Sequence, residues 1–334
     1  MSVIAITVGD FNGIGPEVAL KAAASRSIRA NCTPLLIGPF RAFEYYANKF
    51  SLRRKIMSVG SLSDAVGRSE IAILDDGPDF KEKIRPGALS KESGYFAGRA
   101  IEKAAGLCLE SSAAAMVTAP VSKEALRMAG FCYPGQTEMV TTLAGSKCSI
   151  MIMASSFARV ALATIHVPIS EVAGMLNKEM ICQRLSTFNN SIKCDFGVRV
   201  PRIAVLGLNP HAGENGLIGK EENEIIKPAI AEARSMKIDA NGPFPADAFF
   251  GTYREGLFDG IFAMYHDQGL IPLKMKSFST GINFTAGIKI IRTSPDHGTA
   301  FDIAGKGIAN PSSTIEAVKL ALEIAKNRSA ARRV

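Results

Sequence analysis

Val3-Ile4-Ala5-Ile6-Thr7-Val8-Gly9-Asp10-Phe11-Asn12-Gly13-Ile14-Gly15-Pro16-Glu17 sets how the rest of the chain is read. Val3 to Val8 has no polar alternation, which is the pattern of a strand buried on both faces, as in a parallel sheet. The glycines at 9, 13 and 15 allow a tight turn. Pro16 then opens a helix, because the N–H that proline lacks would have no partner in a first helical turn. Strand, turn and helix in that order begin an α/β fold. The turn does not complete G-x-G-x-x-G, since counting from Gly13 puts Val18 in the last slot, and no Walker pattern is present. A Rossmann-type dinucleotide site therefore has little support. The helix N-terminus can attract an anion, but a tight β–α turn is the simpler reading.

The alternation continues outward. Ile71 to Leu74, Ala114 to Val117, Ser149 to Ala154, Val160 to Ile165, Ile203 to Leu208 and Phe258 to Tyr265 are strand candidates. Asp75-Asp76-Gly77-Pro78 reads as a turn. Between Ser90 and Glu110, apolar residues at 97, 100, 101, 104, 105, 108 and 109 mark one face of a helix. Ser313-Thr314-Ile315-Glu316 has the form of a capping box before a last helix. The sequence thus predicts an α/β fold with a mainly parallel sheet. It contains no internal repeat and no low-complexity segment.

Composition narrows the class. Apolar residues are 47% and charged residues 21% of 334, a globular balance and enough chain for about two domains. Lys and Arg number 39 against 31 Asp and Glu. Lys326, Arg328, Arg332 and Arg333 lie in an acid-free tail, which is expected to be a frayed, solvated end. The remaining excess is small and favours anionic small molecules over nucleic acid, which needs a basic stripe with aromatics. The N-terminus lacks the basic region of a signal peptide, and no apolar run reaches the ~18 residues of a membrane span. Cysteines at 32, 108, 132, 148, 182 and 194 form no C-x-x-C pair. The expectation is a reduced, cytoplasmic enzyme.

Three of the four histidines share one context. His166 follows Val160 to Ile165, His211 follows Ile203 to Leu208 with Asn209-Pro210 between, and His266 follows Ile261 to Tyr265. Ligands of open α/β sheets bind beyond the carboxyl ends of strands. Three imidazoles delivered there suit one divalent ion and leave coordination sites for substrate. Zinc suits imidazole, and nearby Asp247 and Asp267 also suit magnesium. The competing reading is three capped loop residues with hydrogen bonds of their own.

Lys274, Lys276, Asn283, Thr285, Lys289 and Arg292 offer cationic and amide groups for phosphate and carboxylate oxygens. Arg292 is expected at the end of a strand formed by Ile288 to Ile291. The segment Asp296-His297-Gly298-Thr299-Ala300-Phe301-Asp302-Ile303-Ala304-Gly305-Lys306-Gly307-Ile308-Ala309-Asn310-Pro311 combines small residues with polar groups. Such a loop can wrap a flat polar ligand.

This segment resembles the nucleotide loop of isocitrate and isopropylmalate dehydrogenases, which bind NAD or NADP without a Rossmann fold. Leu208 to Glu214, Gly242 to Asp247, Tyr265 to Lys274, Thr118 to Lys123, and Gly9-Asp10 before Gly13 to Glu17 resemble the 4-hydroxythreonine-4-phosphate dehydrogenase family over nearly the whole chain. The resemblance implies two α/β/α domains with a cleft between them. Residues 1–127 and 285–334 would form the nucleotide side, and 128–284 the metal, substrate and dimerisation side. It implies a homodimer with a shared active site, a divalent metal (zinc, magnesium or cobalt) on His166, His211 and His266, and substrate contacts from Gln136, Thr137, Lys274, Asn283 and Arg292. NAD or NADP would meet His297, Gly298, Thr299, Asp302, Gly305 and Asn310. The implied reaction oxidises the C3 alcohol of 4-phosphooxy-L-threonine and releases CO2 to give 3-amino-2-oxopropyl phosphate, in pyridoxal phosphate synthesis. Asp247, Asp267 and Lys274 are candidates for the general base.

The chain departs from the family pattern at two places. Gly135-Gln136-Thr137-Glu138 stands where Gly-His-Thr-Glu is expected, and Asp10-Phe11-Asn12-Gly13 where Asp-Pro-Ala-Gly is usual. Gln donates hydrogen bonds but carries no charge. The alternatives are a paralogue acting on 4-phospho-threonate or 4-phospho-erythronate, and a metal-dependent phosphate-ester hydrolase without redox chemistry.

Overall fold

The structure, a computed structural model, describes all residues except 76, 78, 79, 82, 147, 278, 279 and 332–334. The chain divides into two compact units, one of residues 1–148 with 288–325 and one of 149–287 with 326–334. The strands are β1 (Val3–Thr7), β2 (Thr33–Ile37), β3 (Ile56–Val59), β4 (Ile71–Leu74), β5 (Ala115–Val117), β6 (Ile150–Ala154), β7 (Arg159–Leu162), β8 (Arg202–Leu206), β9 (Asp239–Phe244), β10 (Gly260–Ala263), β11 (Ile282–Ala286) and β12 (Arg292–Pro295).

The first unit orders its strands β3-β4-β2-β1-β5-β12, all parallel. Every residue of β1, β2, β4 and β5 is buried. Their uninterrupted apolar character follows, since helices cover both faces of such a sheet. The helix Lys91–Leu109 is capped by Ser90, whose side chain accepts from the Ser93 N–H, and it packs along helices Lys123–Met128 and Gln136–Leu143. That packing places residues 128–148 in the first unit, whereas the resemblance implies them on the metal and substrate side. The second unit orders its strands β11-β6-β7-β10-β8-β9. β6 runs antiparallel to both neighbours and the remaining pairs are parallel. Val160, Leu162, Leu206, Ile261, Ala263, Leu270 and Leu273 belong to one buried cluster there. This core underlies the carboxyl ends of β7, β10 and β8.

Several expectations are corrected. Ile288 to Ile291 is not a strand: Gly287 ends β11 with φ +83°, the chain bends, and Arg292 opens β12 instead of closing a strand. The last helix, Ser312–Ala331, starts one residue before the Ser313 that the sequence predicts as its cap. The Asn310 side chain accepts from the Ser312 N–H, and the Ser313 hydroxyl accepts from the Asp296 N–H. The tail is not frayed at Arg328, which donates to the buried Asp195 carboxylate at 2.6 Å, while Asn327 donates to the Asp195 carbonyl. Arg332 and Arg333, and the Asp75 to Pro78 turn at positions 76 and 78, lie outside the described residues. Among the described residues no helix is long and apolar enough to cross a membrane.

Candidate active site

In the second unit the register of two parallel strands brings His166 and His266 together. Leu162 of β7 pairs with Ala263 of β10, and the histidines follow four and three residues later. The strand exits are tied to each other: Ala163 N–H donates to the Ala263 carbonyl at 2.8 Å, and the Thr164 N–H and hydroxyl both donate to the Met264 carbonyl. The two imidazole centroids lie 5.6 Å apart. They border a cavity of about 300 Å³ lined also by Ile165, Val167, Ile169, Val172, Tyr265 and Asp267. Asp267 Oδ1 lies 2.7 Å from His266 Nδ1. A carboxylate there fixes the ring orientation and leaves Nε2 as the outward nitrogen, the usual arrangement for a metal-ligating histidine.

β8 flanks β10 on its other side, so His211 leaves a third adjacent strand. Gln268 braces these ends, accepting from the Met264 N–H at 2.7 Å and donating to the Gly207 carbonyl at 2.6 Å. The chain then enters a left-handed turn, with φ of 53°, 51°, 77°, 41° and 57° from His211 to Asn215. Four of these residues are not glycine, and together they cost roughly 4 kcal/mol or more. Glu222, buried at 1% exposure, clamps the base of the turn. Its Oε1 accepts from the Leu208 and Asn209 N–H groups at 2.7 Å each, and its Oε2 from Asn209 Nδ2 at 2.9 Å. Among the described residues no group of three or more His, Cys, Asp or Glu could hold a metal ion. The donor chemistry of the His166–His266 pair nevertheless fits a divalent ion, and His211 stands on a turn that is held in place.

The other residues of this unit are spread out. Asp247 lies exposed in the first turn of the helix Ala246–Thr252. Lys274, half-buried, lies eight residues along the helix that His266 opens. Asn283 on β11 donates to the Met151 sulfur at 3.5 Å, while its Oδ1 is buried without a hydrogen-bond partner. Thr285 is fully buried on the same strand, and Lys276 is exposed near the end of the helix.

In the first unit Arg292 is 2% exposed and held by side chains from three other positions. Its Nε and Nη2 donate to Thr118 Oγ1 at 3.0 and 2.7 Å. Nη1 donates to Thr137 Oγ1 and Nη2 to Gln136 Oε1, both at 3.4 Å. Burial lowers its pKa to about 10, and the charge of Glu138 opposes that shift. Thr118, Thr137 and Gln136 thus meet the guanidinium through neutral side-chain oxygens. Gln136 therefore touches Arg292 directly, and Thr118, assigned no role in the sequence, is its main support.

The turn after β1 and the loop 296–310 form one body in this unit. Ile14 N–H donates to the Thr299 carbonyl at 2.9 Å. Lys21 donates to the carbonyls of Gly307 and Ala309, and Glu17 Oε1 accepts from both Lys21 and the Ala309 N–H. The turn and its helix therefore dock the loop. Phe11 packs edge-on against Phe80 at 5.1 Å, and Asn12 Oδ1 accepts from the Arg85 N–H. On the loop, His297 Nε2 is buried without a hydrogen-bond partner, and burial lowers the pKa of its ring. A neutral imidazole with an unsatisfied nitrogen suits a polar, flat ligand. Gly298 and Asp302 are exposed, while Asn310 is occupied as the helix cap.

Known proteins share this framework over the full length. The family model described as "Pyridoxal phosphate biosynthetic protein PdxA" matches residues 30–321. A protein of Prosthecochloris aestuarii (strain DSM 271 / SK 413) named 4-hydroxythreonine-4-phosphate dehydrogenase is 43% identical over 336 residues, covering 98% of both chains. One of the same name from Trichlorobacter lovleyi (strain ATCC BAA-1151 / DSM 17278 / SZ) is 42% identical, over 97% of this chain and 98% of that one. The crystal structure of 4-hydroxythreonine-4-phosphate dehydrogenase from Klebsiella pneumoniae aligns with a TM-score of 0.88 at 37% identity, covering 97% of this chain and all of that one. With this fold, these strand-end histidines and identity at that level from end to end, the chain belongs to the PdxA family of pyridoxal phosphate biosynthetic proteins.

Proposed function

We infer that this chain is an NAD- or NADP-dependent oxidoreductase that converts 4-hydroxythreonine 4-phosphate to 3-amino-2-oxopropyl phosphate and CO2. The alcohol at C3 loses two electrons to the nicotinamide, and the resulting 3-oxo acid loses its carboxylate as CO2. The observation that carries the reading is the meeting of His166 and His266 beyond two adjacent parallel strands.

His166, His211 and His266 would hold a divalent ion, which supplies Lewis acidity toward the substrate alcohol. Asp267 orients the His266 ring. Asp247, Asp267 and Lys274 are the candidates to take the alcohol proton. Arg292, with Thr137 and Gln136 beside it, binds an anionic end of the substrate, and Lys274 and Asn283 hold further polar groups. The buried Asn283 Oδ1 is set to accept a substrate N–H or O–H. The loop from His297 to Asn310 would receive the nicotinamide cofactor. The active unit in this reading is a homodimer, and one chain pairs His166 with His266 while His211 sits on its own turn, an arrangement that a shared site accommodates.

The test follows reduced-cofactor absorbance with 4-hydroxythreonine 4-phosphate, 4-phospho-threonate and 4-phospho-erythronate, with and without a chelator. The reading requires turnover of the first substrate that the chelator abolishes. Phosphate release without cofactor reduction would overturn it in favour of a hydrolase. Gln136→His sharpens the substrate: with the first substrate it should lower KM more at about pH 6 than at about pH 8, because histidine titrates between them. Unchanged kinetics on every candidate would show that position 136 does not reach substrate.

A further inference from the structure

We propose that Glu222 is a positioning residue that sets His211 for metal binding; the proposal rests on the metal reading above. Glu222 lies eleven residues beyond His211 in sequence and bonds to the strand exit from which the histidine turn departs. Its Oε1 accepts from two successive backbone N–H groups, Leu208 and Asn209, and its Oε2 accepts from the Asn209 side chain. The second Asn209 amide bond goes to Glu221 Oε2 at 2.7 Å. The carboxylate also fills the space between the two limbs of the turn. A Cβ on Gly207 would stand 3.1 Å from Oε1, and a Cβ on Gly213 only 2.5 Å from Oε2.

Two features mark this as more than an ordinary buried ion. The turn that it braces runs through five consecutive residues of positive φ, which local preference alone does not hold. Glu222 itself opens a π-helical turn, Glu222–Ile226, that leads into the helix Lys227–Ser235. Such a turn is rare and is frequently found at functional sites. Here it accompanies a carboxylate pointing back at β8. Glu222 thus acts on the imidazole through the backbone between residues 208 and 213.

The experiment titrates the metal-free protein with Co²⁺ alone, by calorimetry and by visible absorption, for the parent, Glu222→Ala, Glu222→Gln, Gly213→Ala and His211→Ala. Thermal unfolding of each metal-free variant is read in parallel. Orienting partners of metal ligands are worth about 10- to 100-fold in affinity. Glu222→Ala and Gly213→Ala should each weaken Co²⁺ by that factor and change its absorption spectrum. Glu222→Gln keeps an oxygen for the two backbone donors and should lose less than about 10-fold. Parent-like affinity and spectrum in the Glu222 and Gly213 variants, beside a loss in His211→Ala, would overturn this proposal alone. Parent-like binding in His211→Ala would overturn the metal reading and the proposal with it. A lower unfolding temperature in Glu222→Ala with unchanged affinity would mark a merely structural role and also overturn it. Should Glu222→Ala fail to fold, Glu222→Gln and Gly213→Ala decide the matter.

Discussion

The turn that leaves β1 and the turn that leaves β8 occupy equivalent places, each beyond the carboxyl end of a buried parallel strand, and they are built by opposite means. After β1 the positive φ falls on Gly9, at +68°, where no Cβ is present to object. The rest is short-range: Gly13 N–H donates to the Asp10 carbonyl and Asn12 N–H to the Asp10 carboxylate. After β8 the positive φ values fall on His211, Ala212, Glu214 and Asn215 as well as on Gly213. The first turn has only to bring its backbone against Thr299, and glycine does that best. The second keeps side chains at its positive-φ positions, among them the imidazole that the metal reading uses, and a buried carboxylate braces it. Strain sits where side-chain identity could not be given up.

Three substitutions probe this contrast. Gly9→Ala should be the most damaging, because its Cβ would stand 2.5 Å from the Pro120 carbonyl oxygen at a φ that suits glycine. A loss of about 3 kcal/mol in denaturant unfolding is expected. A loss below about 1 kcal/mol would mean that the first turn does not depend on its glycine. Ala212→Gly should act in the other direction. It relieves a left-handed residue at φ 51° and gains about 0.5 kcal/mol after the added freedom of the unfolded chain is counted. Net destabilisation by the same measurement would break the claim that the second turn is strained.

Asp10→Asn should give the smallest effect and compares the two carboxylates. Glu222 is met by three donors, whereas Asp10 Oδ2 is buried without a hydrogen-bond partner. Burial raises the Asp10 pKa, opposed by the N–H groups of Asn12 and Gly13 and the Ser93 hydroxyl. A carboxyl that holds its proton more tightly when folded adds stability below the unfolded value near pH 4. That stability is lost as pH rises through the raised folded value. The variant should therefore match the parent in Tm near pH 3 and exceed it by about 1 °C at most at pH 7. A gap that does not widen between those pH values would contradict the assignment.

The sequence discloses features in proportion to how far they are encoded locally. β1, β4 and β5 are continuous apolar runs and can be read directly. β9, Asp239-Ala240-Asn241-Gly242-Pro243-Phe244, sits at one end of the strand order and carries no such run. β12 misleads, because Arg292-Thr293-Ser294-Pro295 is polar yet buried. Its side chains are satisfied from afar, Thr293 by the Ala317 carbonyl and Arg292 by Thr118, whereas the apolar run just before it is a bend. The histidines announce themselves as strand-end residues. That β7, β10 and β8 are neighbours follows only from pairing. Glu222 is hidden for a further reason: Lys220-Glu221-Glu222-Asn223-Glu224 has the composition of a solvated face, and nothing local reports that one of these carboxylates turns inward.

The pairing of β5 with β12 has a consequence during synthesis. Met116 N–H donates to the Ile291 carbonyl and Thr118 N–H to the Thr293 carbonyl, yet about 175 residues separate β5 from those acceptors. A ribosome adding roughly 5–20 residues per second takes roughly 9–35 s to cover that distance. Throughout that interval β5 is a bare strand edge, the kind of surface that recruits foreign strands. The segment made meanwhile, residues 149–287, is nearly the whole of the second unit. The later-made part of the chain can thus finish folding before the earlier-made part, and the nascent protein is most exposed to aggregation at β5 until its last strand emerges.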